Sequence, residues 1–193
     1  YLAHDLKTPL TSVIGYLSLL NEAPDMPVEK RAKYTRITLD KAYRLEKMIN
    51  EFFDITRYNL QEIALQKEPV DLYYLLVQLT DELLPVLEKN GNTVRLQADE
   101  ALTVPGDPDK LARVFGNVLK NAAAYSYPDT EIVITAEEKE GAVTLRFSNR
   151  GRTIPQEKLN SLFEKFYRLD EARTSGTGGA GLGLAIAKEI VSL

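Results

Sequence analysis

Over its first sixty residues the chain places apolar side chains at helical spacing. Leu6, Leu10, Val13, Leu17 and Leu20 follow one another by steps of four and three, which lays a coiled-coil-like stripe along one face of a helix. Pro24-Asp25-Met26-Pro27 breaks the pattern, because proline fixes its own backbone and restricts the residue before it. A turn is expected there. Leu45, Met48, Phe52 and Ile55 resume the spacing, so a second helix is expected from about Val28 to Tyr58. Each helix of such a hairpin buries a single stripe, and a pair this long and thin has no room for a core of its own. Two copies joined as a four-helix bundle satisfy both stripes, so a homodimer is expected.

After about Ile63 the period changes. Asp71 is placed to cap an apolar helix reaching about Glu88, Val94 and Leu96 mark a short strand, and another helix starts after Asp107-Pro108. Ile132 and Ile134, then Val143, Leu145 and Phe147, alternate with polar neighbours on either side of Lys139-Glu140-Gly141, the signature of a hairpin with one buried face. Further helices are expected at about Gln156 to Phe163 and Gly181 to Leu193. The sum is a multi-domain chain: an all-α helical hairpin at 1–60, a linker at 61–70 punctuated by Pro69, and an α/β sandwich of mixed sheet against helices at 71–193.

Composition bounds the chemistry. Of 193 residues, 44% are hydrophobic and 27% charged, an ordinary balance for folded domains. A formal charge of −4 provides no broad basic field for a polyanion, so nucleic acid is disfavoured as a partner. With no cysteine and one histidine, disulfide frameworks, thiolate metal sites and zinc-binding histidine clusters are excluded. Catalysis then rests on carboxylates, amides, hydroxyls, backbone groups and His4. No stretch approaches the roughly 18 apolar residues of a membrane span, and no signal peptide opens the chain, so a soluble, cytoplasmic piece is expected. It begins without Met and stops inside an apolar helical pattern, as an excised fragment does.

On a helical wheel the apolar stripe of the first helix centres near about 240°, whereas His4 falls at about 40°, toward water. His4, Thr8, Thr11, Gly15 and Ser18 share an arc of about 80°, a strip of small polar residues along which a partner can approach closely. An exposed histidine is by itself ordinary surface. This one has Asp5 beside it, Thr8 one turn on, and then Pro9, which removes the N–H that would bond the Asp5 carbonyl. A proline inside a helix costs about 3 kcal/mol, so its presence calls for a reason. His4-Asp5-Leu6-Lys7-Thr8-Pro9-Leu10 resembles the phosphoacceptor box of sensor histidine kinases, in which neutral imidazole is a nucleophile toward phosphorus.

Gly176-Thr177-Gly178-Gly179-Ala180-Gly181-Leu182-Gly183 superficially matches a dinucleotide loop. Glu171-Ala172-Arg173-Thr174-Ser175 precedes it where such a loop needs a hydrophobic strand, so that reading fails. A glycine-rich loop that opens a helix still offers N–H groups and a positive dipole end to phosphate, and a mobile phosphate-binding lid is expected. Asn117 and Asn121 lie four apart on the helix after Asp107 and project from one face, and amide oxygens suit Mg²⁺. These amides, then Asn149 with Gly151, then Phe163-Glu164-Lys165-Phe166-Tyr167-Arg168, then the glycine lid resemble four boxes of the same kinases in their order: asparagine, first glycine, phenylalanine and second glycine. The resemblance covers nearly the whole chain. Tyr1 to Leu20, Asp107 to Ser126 and Phe163 to Val191 are further similar to the sensor kinases of vancomycin-resistance systems.

The resemblance implies an ATP-binding domain of the histidine kinase, gyrase and chaperone type, with ATP and Mg²⁺ bound. His4, oriented by Asp5, would be autophosphorylated, and the phosphoryl group would pass to an aspartate of a response regulator controlling glycopeptide-resistance genes. Asn121 and Asn117 would hold Mg²⁺, and Tyr125, Asn149 and Gly151 would border the nucleotide. Gly178, Gly179, Gly181, Leu182 and Gly183 would admit its phosphates, and Arg168 would neutralise charge during transfer. Thr8 would position water for a phosphatase reaction on the regulator. A parent anchored in the bacterial cell membrane through preceding segments, and two more strands after Leu193, are also implied.

The chain departs from the family pattern at named places. Asn149 stands where an aspartate commonly accepts the adenine amino proton, so recognition there loses charge assistance. Ala124 replaces a basic residue, Thr153 a glycine and Ala180 a hydroxyl residue. Gyrase- and chaperone-type ATPases use a glutamate to activate water where Asn117 stands, and an asparagine cannot be that base. The alternative reading is a non-catalytic dimerisation and docking module with a decayed nucleotide site. A plain helical scaffold would bind no nucleotide at all.

Overall fold

In a computed structural model, residues 2–60, 65–167 and 181–193 are described, the side chains of 2–5, 51 and 54–60 lying outside that description. Two compact units divide the chain, Tyr1–Arg57 and Tyr58–Leu193.

In the first unit α1 (Leu2–Glu22) runs through Pro9 and α2 (Val28–Leu60) follows the proline-bounded turn. The Met26 N–H donates to the Ala23 carbonyl at 3.1 Å and that of Arg31 to Pro27 at 2.9 Å, which closes the turn and starts α2. The Tyr16 and Tyr34 rings pack with centroids 5.2 Å apart, and Met48 and Thr38 are buried. The apolar stripe of α1 divides. Leu6, Val13 and Leu20 are half-buried, while Leu10 and Leu17 stay 45% and 51% exposed. On α2, Leu39, Tyr43, Ile49 and Phe53 are also exposed. Among the described residues, one hairpin therefore leaves part of its apolar seam exposed. Thr8, Thr11, Gly15 and Ser18 are exposed, as the wheel requires.

The second unit begins with β1 (Glu68–Asp71), α3 (Leu72–Lys89), β2 (Thr93–Gln97), β3 (Thr103–Gly106) and α4 (Pro108–Tyr125). It continues with β4 (Glu131–Lys139), β5 (Ala142–Ser148) and α5 (Gly183–Val191). Asp71 caps α3 by accepting from the Tyr74 N–H at 2.8 Å, and the helix buries Leu72, Leu76, Leu79, Leu83 and Leu87. β2, β4 and β5 form one mixed sheet, β2 parallel and β5 antiparallel to β4. Glu140 and Gly141, both with positive φ (54° and 76°), make the two-residue turn between β4 and β5. Ile132, Ile134 and Ala136 of β4 are buried with Leu119 and Ala123 of α4 and Ala185, Ile186 and Ile190 of α5. Phe115 meets Phe147 with ring centroids 6.2 Å apart. This is the expected α/β sandwich. Among the described residues no helix is long and apolar enough to cross a membrane.

Three local readings change. β1, which starts inside the stretch read as linker, and β3 form a separate antiparallel ribbon with Pro69 opposite Pro105. A two-stranded ribbon tolerates prolines that a central strand excludes, so punctuation and strand coincide. Gln156 to Phe163 is not an α-helix but two 3₁₀ turns, Gln156–Lys158 and Asn160–Phe163. Leu159 and Leu162 are three apart, the spacing that a 3₁₀ turn aligns on one side. The last helix starts at Gly183, two residues later than its pattern suggests, with Leu182 as its cap.

Candidate functional site

α4 carries the frame of the site. Asp107 opens it, its Oδ1 accepting from the Lys110 N–H at 3.1 Å, and Pro108 occupies the first turn, where a missing N–H costs nothing. Asp107 Oδ2 also accepts from the Gln66 N–H at 3.2 Å. Burial pushes this carboxyl up, but the N–H groups of Lys110 and Gln66, the Lys110 charge and the Asp109 N–H outweigh it and hold the pKa below the usual carboxylate value. Asn117 and Asn121 follow on one face, both half-buried, and Tyr125 ends the helix 41% exposed.

Two segments meet this helix. Ser126 pairs with Gly151 in an isolated antiparallel bridge, and the Tyr127 N–H donates to the Arg150 carbonyl at 2.7 Å. A Cβ on Gly151 would overlap the Tyr125 carbonyl oxygen and lie 3.5 Å from the Asn149 Nδ2. Tyr125, Asn149 and Gly151 are thus brought together. At Asn117 the helix meets Gly183, whose added Cβ would lie 3.7 Å from the amide oxygen. Leu182 is buried. Gly181, at φ 75°, accepts through its carbonyl from the Phe166 N–H at 3.1 Å. Lys165 pairs with Glu189 of α5 at 3.1 Å. The chain before 168 and the chain after 180 are therefore tied at their bases.

Asn117 Nδ2 is buried without a hydrogen-bond partner among the described residues. An unpaired amide donor is costly, and beside the glycine turn it fits a phosphate oxygen, while the asparagine oxygens fit a hard cation. Among the described residues no cluster of three or more His, Cys, Asp or Glu could hold a metal ion. Arg168, Gly178 and Gly179 lie outside the described residues, as do the side chains of His4 and Asp5, whose backbone belongs to α1. Thr8 is exposed on α1. Sequence reasoning misses the second bond of Asp107, and it misses Asn92. Asn92 is buried and donates to Tyr127 and Thr130, 35 and 38 residues away, a separation at which no local motif signals contact.

Residues 1–61 match the "His Kinase A (phospho-acceptor) domain", and residues 106–193 match the "Histidine kinase-, DNA gyrase B-, and HSP90-like ATPase". The chain belongs to the sensor histidine kinases, of which it carries the kinase core. It is 66% identical to the Sensor protein VanS of Enterococcus faecium over 99% of this chain and 50% of that one. Identity is 51% to the Sensor protein VanSC of Enterococcus gallinarum, over 99% and 53%. The chain spans about half the length of these curated relatives. Among solved structures it is similar to full-length ShkA in complex with AMPPNP, at TM-score 0.71 and 25% identity over 99% of this chain and 39% of that one. The fold is shared with the histidine kinase ThkA, solved in complex with the response regulator TrrA, at TM-score 0.76 and 22% identity over 97% and 52%.

Proposed function

We propose that this chain is the catalytic core of a membrane-anchored sensor that autophosphorylates His4 from ATP and passes the phosphoryl group to a response regulator. The observation that carries the reading is the convergence of Asn117, Tyr125, Asn149, Gly151 and Gly183 along one helix, in a chain that opens with the His4-Asp5 box. In the first step a ring nitrogen of His4 forms a bond to the γ-phosphorus, the bond to the β–γ bridging oxygen breaks, and ADP leaves. In the second, an aspartate oxygen of the regulator takes the phosphoryl group and frees the imidazole.

Asp5 orients the ring, the Asn117 amide and the Gly181–Gly183 turn hold phosphate oxygens, and Asn149 with Gly151 and Tyr125 borders the adenine. By resemblance, Gly178 and Gly179 would admit phosphates, and Arg168 would neutralise charge on the phosphoryl group. Asn121 and Asn117 would hold Mg²⁺, which when bound offsets charge developing on the phosphates. The asparagine at position 117 provides no base for water, so ATP is directed to His4. Thr8 positions water when the same surface dephosphorylates the regulator, and the half-open seam of the hairpin supports a homodimer. Identity to the VanS relative supports control of glycopeptide-resistance genes.

The test is incubation with labelled ATP and Mg²⁺. Label should appear on the chain, be lost in acid and survive base, as a phosphoramidate does, and be absent from His4→Gln. Label that persists in that variant or resists acid overturns the assignment, since His4 is the sole histidine.

A further inference from the structure

The loop that leaves α4 is held to the segment before β2 by the backbone bonds Asp129 N–H to Asn90 at 3.0 Å and Thr93 N–H to Thr130 at 3.2 Å, and by one buried side chain. Asn92, just before β2, is only 4% exposed. Its Nδ2 donates to the Tyr127 carbonyl at 2.7 Å, the Thr130 carbonyl at 3.1 Å and Thr130 Oγ1 at 3.1 Å. The Thr130 hydroxyl donates to the Tyr127 carbonyl as well, at 2.7 Å, so an amide and a hydroxyl converge on one oxygen. The N–H of the same Tyr127 reaches the Arg150 carbonyl, and the neighbouring Ser126 pairs with Gly151. A strip therefore runs from Asn92 through Tyr127 to Arg150, and Tyr125 and Asn149–Gly151 adjoin it.

The Asn92 amide is used on one side only: its Nδ2 donates three bonds, while its Oδ1 is buried with no hydrogen-bond partner among the described residues. What the amide adds is direction. Direction matters more here because the base-facing residue is itself an amide. The Asn149 side chain offers an oxygen to the amino group of adenine, but turned over it offers an NH₂ to the carbonyl of guanine. Its chemistry does not choose between the two purines. The choice then falls to where the backbone of Asn149–Gly151 stands against Tyr125.

We infer that Asn92 is a positioning residue for nucleotide selection, its amide holding the Tyr125–Tyr127 strip in the register that makes the site prefer adenine over guanine. The inference rests on the nucleotide-site reading proposed above. It assigns Asn92 no contact with ligand.

The experiment measures ATP and GTP affinities of the whole chain by displacement of a fluorescent trinitrophenyl-ATP, with a thermal melt of each variant without nucleotide. Asn92→Leu keeps the volume and removes the donors, and Thr130→Val removes the bridging hydroxyl at a half-buried position. In Asn92→Leu, ATP affinity should fall by about tenfold while GTP affinity changes by less than about threefold, with a cooperative melt retained. Thr130→Val should move the ATP-to-GTP preference in the same direction by a smaller factor. A merely structural Asn92 would weaken both nucleotides equally. An unchanged preference in the folded variants therefore overturns the inference, and if Asn92→Leu does not fold, Thr130→Val alone decides. Two controls identify a failure of the underlying reading instead: a parent chain that binds neither nucleotide, or an Asn149→Ala variant with unaltered ATP affinity, removes the site itself and this inference with it.

Discussion

Gly151 lies against Tyr125 so closely that a Cβ would overlap the Tyr125 carbonyl oxygen. A backbone carbonyl does not swing aside as a long side chain does, so the contact exists only because residue 151 has none. Gly151→Ala should part the Ser126–Gly151 bridge, costing about 1–3 kcal/mol of stability and weakening ATP binding by about tenfold or more. Calorimetric titration and a melting curve check both effects, and an alanine variant that binds ATP like the parent would place the nucleotide elsewhere.

Asn121→Ala removes an amide oxygen from the half-buried face of α4. Labelling of His4 should fall by a factor on the order of 10² or more, because uncompensated phosphate charge raises the barrier. Melting should change little. Parent-like labelling by this variant would make the asparagine structural.

The hairpin offers two kinds of apolar position. Met48 is buried within one chain, whereas Leu17 and Phe53 are 51% and 63% exposed. Met48→Asp should unfold the hairpin, since an unpaired buried carboxylate costs several kcal/mol. Leu17→Glu combined with Phe53→Glu should leave helices and yield monomers. Sedimentation with circular dichroism separates the two, and a dimeric double variant would mean that the seam lies elsewhere.

Thr8 is exposed on the face expected to carry His4. Thr8→Ala should largely abolish dephosphorylation of a phosphorylated regulator while labelling of His4 stays within a few-fold of the parent, as loss of a water-positioning hydroxyl requires. Equal dephosphorylation by parent and variant, assayed side by side, excludes the water-positioning role.

Asp107 makes stability depend on pH. Its folded pKa is lowered, so its contribution is present above the unfolded carboxyl value and is lost as pH falls through the folded one, in acid below about pH 4. Asp107→Asn keeps an oxygen for the Lys110 N–H but loses the acceptor for Gln66. The parent should exceed the variant by less than about 1 kcal/mol at pH 7, a gap that closes toward pH 3. Urea unfolding at both pH values measures it, and a gap that widens in acid contradicts the assignment.

What is local is readable from sequence, and what is distant is not. Asp71 and Asp107 announce their caps because the bonded N–H lies three residues on, and Val143, Leu145 and Phe147 announce a face by alternating. Asn117, Asn121 and the glycines stand out because backbone approach and amide spacing are short-range properties. The β1–β3 ribbon is hidden because Val70 is the only buried residue of the two strands and Pro69 faces Pro105. The Gln156 to Phe163 stretch misleads because three-residue apolar spacing serves α and 3₁₀ turns alike. Asn92 carries no sign in its own neighbourhood, and only the fold brings Tyr127 and Thr130 to it.

Asn117, Asn121 and Asn149 bring three amides to the candidate site, beside the backbone of Gly151, Gly181 and Gly183. None of these groups gains or loses a proton in the physiological range. An uncharged amide pair also has little hold on a bare divalent ion, so the metal is expected to arrive and depart with the nucleotide. The concentration that governs the reaction is then that of the magnesium–ATP complex, and chelation should silence the chain without unfolding it.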